Sequence, residues 1–550
     1  VITLGGDCTP RSVRAFDTAD TLRAVPRRIL VIDGVDGFDE ARTALRAGFE
    51  AIRAEFAVRT AFPPEALAAA ERAAREAHPA GPRRVDRTDL PLVTLDPPGS
   101  MDLDQAMAIE RRAGGYRVWY AIADVAAFVR PGSPLDIEAR ARVETFYMPD
   151  VRVPLLPPVL SEGAASLLPG QDRPAIVWCI DLDSAGDTTA VEVSRAVVRS
   201  RTRLDYPAMQ GALEQGTAPE VMNLLREVGG LLRDREAVRG GVSLNAPEQQ
   251  VVADSDGWRL EYRAPLPIED WNAQISLLAG FAAADMMLYG QVGVLRVLPE
   301  PEYATVGRLR RAARALKIRW PDGESYATLI RRMDPAKPRH AAFLTEATSL
   351  LRGACYEVFN GTVPDRPVHA ALATQYAHVT APLRRLADRF ATEICVALCD
   401  GDPVPEWVCE ALPTLPHLME TGDRRAKAVD RACVDLVEAV LLRDRVGEVF
   451  EGVVLDLNDR VDWDHNGKPD AGVVMLREPA VIGRLDGHDL PQGAELRVQL
   501  VSADPAARRV LFDWIDADMR PPKPPEPKTP GPRTEQPPAP DSRTNGASGA

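Results

Sequence analysis

The sequence predicts an α+β fold followed by a small β-barrel, and three observations carry that prediction. Strand-like runs broken by turn residues crowd residues 88–200. Helix-forming windows follow over 207–238 and over most of 268–445. Short strands at regular spacing return over 446–517. Strands first and helices later in one body is the pattern of α+β packing, and short strands with turns between them suit an OB-fold.

In order along the chain, residues 1–40 resist placement. RRILVIDGVDGFDEA could be a lone strand and turn, and nothing nearby repeats it. Residues 41–87 read as a helical segment, because FPPEALAAAERAAREAH sets Pro64 early and follows it with strong helix formers. In the body at 88–445, LPLVTLD is a strand, and QAMAIERRAGGYRVWYAIADVAAFV is a hairpin turning at Gly114-Gly115. AIVWCIDLD and VEVSRAVVRS add further strands. VGEVFEGVVLDL, AGVVMLREPAVIGRLDG and ELRVQLVSADPAARRVLFDWI supply the barrel at 446–517. The tail at 518–550 is Pro-rich and polar, cannot bury a core, and is expected to be disordered.

A chain of 550 residues with 45% hydrophobic content can bury one large core and one or two smaller ones. A formal net charge of −14 argues against nucleic-acid binding over the whole surface, since phosphate affinity comes from Lys and Arg. The 66 basic residues can still line one face or channel. Cys8, Cys179, Cys355, Cys395, Cys399, Cys409 and Cys433 form no CxxC pair. Cys395 and Cys399 share helical spacing, but no second pair or nearby His completes a zinc set. The cysteines read as buried small apolar residues in a reducing cytoplasm. No apolar run approaches the ~20 residues of a membrane span, and the N-terminus has no signal-peptide pattern.

The densest chemistry lies in LVTLDPPGSMDLDQAMAI, where Asp96, Asp102 and Asp104 fall within nine residues. Like charges so crowded cost energy unless something neutralises them. A strand ending in Asp96, a tight loop set by Pro97, Pro98 and Gly99, and two carboxylates two residues apart would converge. Hard oxygens at one point suit Mg²⁺, with substrate phosphate and water completing its octahedron. The competing reading is a solvated acidic loop, the commoner fate of such runs, and the cluster taken alone favours it slightly.

The wider text shifts that balance. VTLDPPGSMDLDQAMAI, then YAIADVAAFVRPGSPLDIEARARVETFYMPDVRVPLLPPVLSEGAASLLPGQDRPA, then HVTAPLRRLADR at 378–389 resemble, in order, the motifs of the RNB family, the catalytic domain of the ribonuclease II and ribonuclease R kind. VGEVFEGVV resembles the start of the C-terminal OB-fold, of the ribosomal-protein S-one type, that these enzymes carry. The resemblance runs from about residue 88 to 517. It implies an RNB catalytic domain over 88–445, a mixed sheet surrounded by helices, and an OB-fold RNA-binding domain over 446–517. It implies a Mg²⁺-dependent, processive 3′→5′ hydrolytic exoribonuclease, with Mn²⁺ as the alternative ion. Such an enzyme threads single-stranded RNA into a channel and releases nucleoside 5′-monophosphates. A cytoplasmic monomer is expected, with no membrane partner and no cofactor beyond the metal.

By the same resemblance, Asp96, Asp102 and Asp104 match three of the family's four motif aspartates, and Asp104 is the one most tied to the chemistry. The fourth position is Gln105, which offers a carbonyl oxygen but no charge, so one metal would be held more weakly or through water. Phosphodiester hydrolysis needs an in-line water, charge neutralisation and help for the leaving oxygen, which two metals, or a metal and an Arg, can supply. Arg384 and Arg385 match the family's paired arginines. Pro382 fits a helix start and Thr380 its cap, which puts both arginines in a first turn where free N–H groups and two guanidiniums make a phosphate site. The alternative is an i, i+4 surface pair of Arg384 with Asp388. Tyr147 and Tyr206 match family aromatics that contact RNA, where a ring stacks on a base without reading it. Packing at the rim or in the core is the alternative for each. Glu269 occupies the place of a family Glu near the terminal nucleotide, against the alternative of serving a helix dipole. Asp124 also matches, with a structural role expected.

DWDHNGKPDAGV at 462–473 begins like a calcium loop, but its twelfth position is Val473 and not the Glu such a loop requires. A polar hairpin in the barrel is expected there. His340, His369 and His378 are lone histidines and are expected to be structural. Fewer than 90 residues precede the match, where the best-known family members carry two cold-shock OB-folds, so a more open RNA entrance is expected. The competing function is an RNA-binding protein whose site Gln105 weakens. A protein unrelated to RNA would require the ordered motifs to be chance.

Overall fold

The computed structural model describes residues 35–515 apart from 77–82, 245–247, 255–256, 264, 336, 458–470, 477–478, 488–489 and 492–493. The calcium-like stretch up to residue 470, most of the first 40 residues and the Pro-rich tail lie outside the described residues.

Two helices come first, α1 (Val35–Glu55) and α2 (Pro64–Glu76). The single helical segment expected over 41–87 is thus split. Ala57 takes a positive φ of 50°, and Pro64 disfavours a helical residue before it, so the chain turns between the two helices. The segment also ends early, because Val85–Arg87 is already β1 of the main sheet.

That sheet continues with β2 (Val93–Asp96), β3 (Gln105–Arg112) and β4 (Gly115–Ala123). Helix α3 (Pro134–Arg142) and the small hairpin β5 (Phe146–Tyr147) and β6 (Arg152–Val153) intervene before β7 (Asp172–Asp183), β8 (Thr188–Arg199) and β9 (Thr202–Asp205). The strand order is β1-β8-β7-β4-β3-β2-β9. The β1–β8 and β2–β9 pairs are parallel and the rest antiparallel, so the sheet is mixed as expected. The β3–β4 turn is Ala113-Gly114, one residue earlier than the sequence suggested, because Gly115 already pairs with Arg112. Gly114 supplies the positive φ of 86°. Gly115 is needed for a different reason: a Cβ there would lie 1.9 Å from the Leu182 carbonyl oxygen. The last six residues of β4 and residues 174–178 of β7 are buried without alternation, as strands covered on both faces must be.

Helices α4 (Tyr206–Glu214) and α5 (Glu220–Arg239), the hairpin β10 (Glu248–Asp254) and β11 (Gly257–Arg263), and α6 (Pro267–Gly290) follow. Helix α6 is long and apolar enough by composition to cross a membrane, which corrects the expectation that no such run exists. Half of its most apolar window is buried inside the protein, where Ile275, Leu278, Ala279 and Met287 join the main core. Strands β12 (Val292–Val297) and β13 (Cys355–Asn360) then pair across α7 (Tyr303–Ala315), α8 (Tyr326–Arg331) and α9 (Pro338–Ala347) in sequence. A short pair, β14 (Val368–His369) and β15 (Thr374–Gln375), leads to α10 (Leu386–Asp400), α11 (Glu406–Ala411) and α12 (Leu415–Leu442).

The C-terminal strands β16 (Val449–Leu457), β17 (Ala471–Leu476), β18 (Ile482–Asp486), β19 (Glu495–Asp504) and β20 (Arg509–Trp514) close into a five-stranded barrel, the expected OB-fold. A second core joins Leu45, Phe49 and Ile52 of α1, Phe146 and Val153 of the β5–β6 hairpin, α12 and the barrel interior. Helix α1 thereby holds the β5–β6 hairpin in place, helped by Arg53 donating to Asp150 at 2.8 Å. The cysteines fit their expected place only in part: Cys395 and Cys433 are buried, while Cys355 and Cys399 are exposed.

Candidate active site

Strand β2 ends at Asp96, whose parallel partner on β9 is Asp205, the residue that caps α4 through Ala208 N–H at 2.9 Å. A turn with Gly99 at φ 81° then reverses the chain. Residues 101–104 are pinned from behind by Ser166. Its hydroxyl donates to the Met101 carbonyl at 2.7 Å and accepts Leu103 N–H at 2.9 Å. Leu103 is fully buried, so its neighbours Asp102 and Asp104 turn the other way together.

Each carboxylate has a distinct environment. Asp104 is 3% exposed; its Oδ1 accepts Leu383 N–H at 2.8 Å and its Oδ2 lies 3.4 Å from Arg384 Nε. Asp102 accepts the Tyr147 hydroxyl at 3.0 Å and Arg152 Nη1 at 2.5 Å, and Arg152 also pairs with Glu162. Asp96 keeps a buried Oδ2 with no hydrogen-bond partner. Burial, reinforced by the charge of Asp102, pushes Asp96 up to about 7. Burial pushes Asp104 up to about 8, against the opposing pull of Arg384 and Leu383 N–H.

The residues present fit a hard divalent cation. Two buried carboxylates resist ionisation, one oxygen is orphaned, and the acidic donors are all oxygens. Among the described residues no three His, Cys, Asp or Glu side chains close into a cage by themselves. The aspartates therefore offer part of a shell that substrate oxygens and water would complete.

These shifts set a pH dependence. Both carboxylates titrate above the ordinary ~3.9 of an unfolded Asp, so the native state keeps protons that the unfolded chain has released. Their contribution to stability is complete below about pH 4 and is lost as pH rises through about 7 and about 8. Chelated protein should therefore melt lower at pH 8.5 than at pH 6, and Asp104→Asn should narrow that gap. Calorimetry showing the same pH slope in both proteins would contradict the assignment.

HVTAPLRRLADR folds differently from expectation. Residues 382–384 form a turn, and α10 begins only at Leu386. Arg385 is extended, with φ −140° and ψ 123°, and bridges to Glu144. Leu386 N–H donates to the Val143 carbonyl and Thr145 N–H to the Arg384 carbonyl. That strand-like pairing forbids a helix start at Pro382, and Thr380 is not its cap. The partner of Asp388 is Arg385, not Arg384: Nε at 2.5 Å and Nη2 at 2.8 Å make a two-point contact with a fully buried carboxylate. Arg385 is therefore a supporting residue here and not a second free phosphate ligand. Of the two motif arginines, it is Arg384 whose guanidinium, 45% exposed, lies beside the aspartates.

Tyr147 is 57% exposed with its hydroxyl on Asp102, so an open ring flanks the carboxylates. Tyr206 begins α4, is partly buried, and accepts Asn272 Nδ2 at 2.9 Å; burial and the charge of Asp96 push its phenol up to about 12. Glu269 reaches back to Leu266 N–H at 2.6 Å and pairs with Arg263, the helix-start role that was its alternative. Gln105 donates its Nε2 to the Thr380 carbonyl at 2.5 Å. Asp124 is structural as expected, buried between Arg84 at 2.6 Å and Arg195 at 2.9 Å. Two of the three lone histidines have hydrogen-bond partners among the described residues. His378 is half-buried with its Nδ1 2.6 Å from the Tyr356 hydroxyl and is held well below its ordinary value, burial pushes His369 down to about 4 and its Nδ1 has no hydrogen-bond partner, and His340 Nδ1 accepts Asp334 N–H. Sequence reasoning missed Arg152, Asn272 and Arg203, the last donating to the Ser100 carbonyl at 3.0 Å in the loop between Asp96 and Asp102. Arg152 stood in the quoted run PDVRVPLLPP, but nothing local marks it as a partner of Asp102.

Known proteins resemble this chain over most of its length. The RNB domain model matches residues 84–398, and the RNase II-type exonuclease C-terminal S1 domain model matches 448–513. Ribonuclease R of Escherichia coli K12 is 32% identical over 400 residues, covering 68% of this chain and 48% of that protein. Ribonuclease R of Aquifex aeolicus is 25% identical over 478 residues, covering 79% of this chain and 65% of that protein. The chain thus spans about half the length of the first of these relatives. The solved structure of Mycoplasma genitalium RNase R in complex with ribose-methylated single-stranded RNA matches with a TM-score of 0.76 at 20% identity, over 86% of this chain and 78% of that one, which supports the fold. With the RNB domain model covering more than half of its residues and the S1 model covering its barrel, the chain belongs to the RNB family.

Proposed function

We propose that this chain is a metal-dependent exoribonuclease that degrades single-stranded RNA processively from the 3′ end and releases nucleoside 5′-monophosphates. The observation that carries the reading is the meeting of Asp96, Asp102 and Asp104 with a half-exposed Arg384 and the open ring of Tyr147. Asp96, Asp102 and Asp104 would hold Mg²⁺, with Mn²⁺ as its substitute, and the ion when bound neutralises phosphate charge and acidifies a water. Arg384, aligned through its Nε by Asp104, neutralises a non-bridging phosphate oxygen as charge builds in the transition state. Tyr147, fixed at its hydroxyl by Asp102, stacks its ring against a base without selecting it. Ligand alignment and base stacking are thus coupled through a single carboxylate.

A time course on 5′-labelled single-stranded RNA with Mg²⁺ tests the proposal. A ladder shortening from the 3′ end supports it. Intact RNA with a retained gel shift would favour the second reading, an RNA-binding protein with a weakened site.

A further inference from the structure

Gln105 stands where the family's acidic run continues, and its contact gives a reason for the departure. It opens β3 opposite Ile122, and its Nε2 donates to the Thr380 carbonyl, 275 residues away in sequence. Only a donor can face a carbonyl, so the amide nitrogen must point that way. The turn that follows Thr380 is held at two further points, Ala381 N–H on Asp388 at 2.7 Å and Leu383 N–H on Asp104 at 2.8 Å. Arg384 hangs from this turn, its own N–H on the Ala381 carbonyl.

An aspartate at 105 would break the arrangement. It is one methylene shorter and, ionised, offers only acceptors. It would set a carboxylate toward the Thr380 carbonyl, next to the buried carboxylate of Asp104.

We infer that Gln105 is a positioning residue: by holding the Thr380 carbonyl it fixes the 380–384 turn and aims Arg384 at the substrate phosphate. It works through Arg384 and not as a cation ligand. The role of Arg384 rests on the proposed nuclease reading; the fixing of the turn does not. One consequence is unexpected for a family member: Gln105→Asp, which restores the family's aspartate, lowers turnover.

The test compares full-length wild type, Gln105→Asp and Gln105→Glu. Glu keeps the length of Gln but has no donor when ionised, so it separates shape from hydrogen bonding. Hydrogen exchange on chelated protein reads the turn directly. The amides of Ala381, Leu383, Arg384 and Arg385 should exchange about tenfold faster in both variants, the scale of one lost hydrogen bond, with the barrel unchanged. In steady-state RNA cleavage, kcat should fall about tenfold in both, with KM and the half-saturating Mg²⁺ concentration within about twofold of wild type. A rise in kcat or tighter Mg²⁺ saturation in Gln105→Asp would overturn the inference and make position 105 a weakened ligand. Unchanged exchange in Gln105→Glu would overturn it as well. If wild type cleaves no RNA, the nuclease reading fails, and the exchange measurement still decides the role of Gln105.

Discussion

Asp104→Asn should lower RNA cleavage by about 10³-fold while leaving the fold and RNA binding in place. Asn keeps an oxygen for Leu383 N–H, so the contact that ties the β3 entrance to the 380–384 turn survives. What disappears is the charge opposite Arg384 Nε, and with it a carboxylate for the cation and the alignment of the guanidinium. Stability should not suffer. The Asp104 carboxylate is buried and titrates near 8, so neutralising it removes a cost that wild type bears at alkaline pH. At pH 8 the chelated variant should melt at or above wild type. Single-turnover cleavage, gel-shift affinity and melting together check this. Activity within tenfold of wild type would remove Asp104 from the chemistry, and a cooperative loss of fold would give it a structural role instead.

What could be read in the sequence was local. Asp96, the Pro97-Pro98-Gly99 loop and the pair flanking Leu103 are set by strand geometry and turn chemistry within nine residues, and they lie where that geometry puts them. The barrel was legible for the same reason, as short strands with turns between them. The β3–β4 turn was misplaced by one residue because Gly114 suits either two-residue turn, and only the pairing of Arg112 with Gly115 separates them.

What could not be read was set by distant contacts. HVTAPLRRLADR carries a good helix-start signal, Pro382 after Thr380, yet the pairing of Arg385 with Glu144 holds the chain extended until Leu386. Nothing near residue 384 in sequence announces Val143 and Thr145. Tyr147 and Arg152 reach Asp102 because α1 and α12 pack beneath their hairpin, again a long-range effect. Glu269 is the reverse case. Its contact with Leu266 N–H is three residues away, so the cap was legible as the alternative to an RNA contact.

The two arginines of the motif should separate cleanly, although the sequence presents them as a pair. Arg384→Ala should cut kcat by about 10²- to 10³-fold with little change in melting, because its side chain is 45% exposed and its one described charge partner is Asp104. Arg384→Lys should recover only part of that loss, since an ammonium cannot meet Asp104 and a phosphate through two directed edges at once. Arg385→Ala should do the opposite. It strands the fully buried Asp388, which also holds Ala381 N–H, and removing one partner of a buried pair costs on the order of 3–5 kcal/mol. Activity lost in Arg385→Ala should then track unfolding and return on cooling or with a stabilising osmolyte, whereas that of Arg384→Ala should not. Denaturant melts and cleavage rates on both variants decide the matter. If Arg385→Ala keeps its stability and loses kcat, the guanidinium of Arg385 reaches the phosphate and the motif is a two-arginine clamp. If Arg384→Ala unfolds instead, the pairing with Asp104 is structural, and the phosphate must find its positive charge elsewhere, with Arg152 on Asp102 the next candidate.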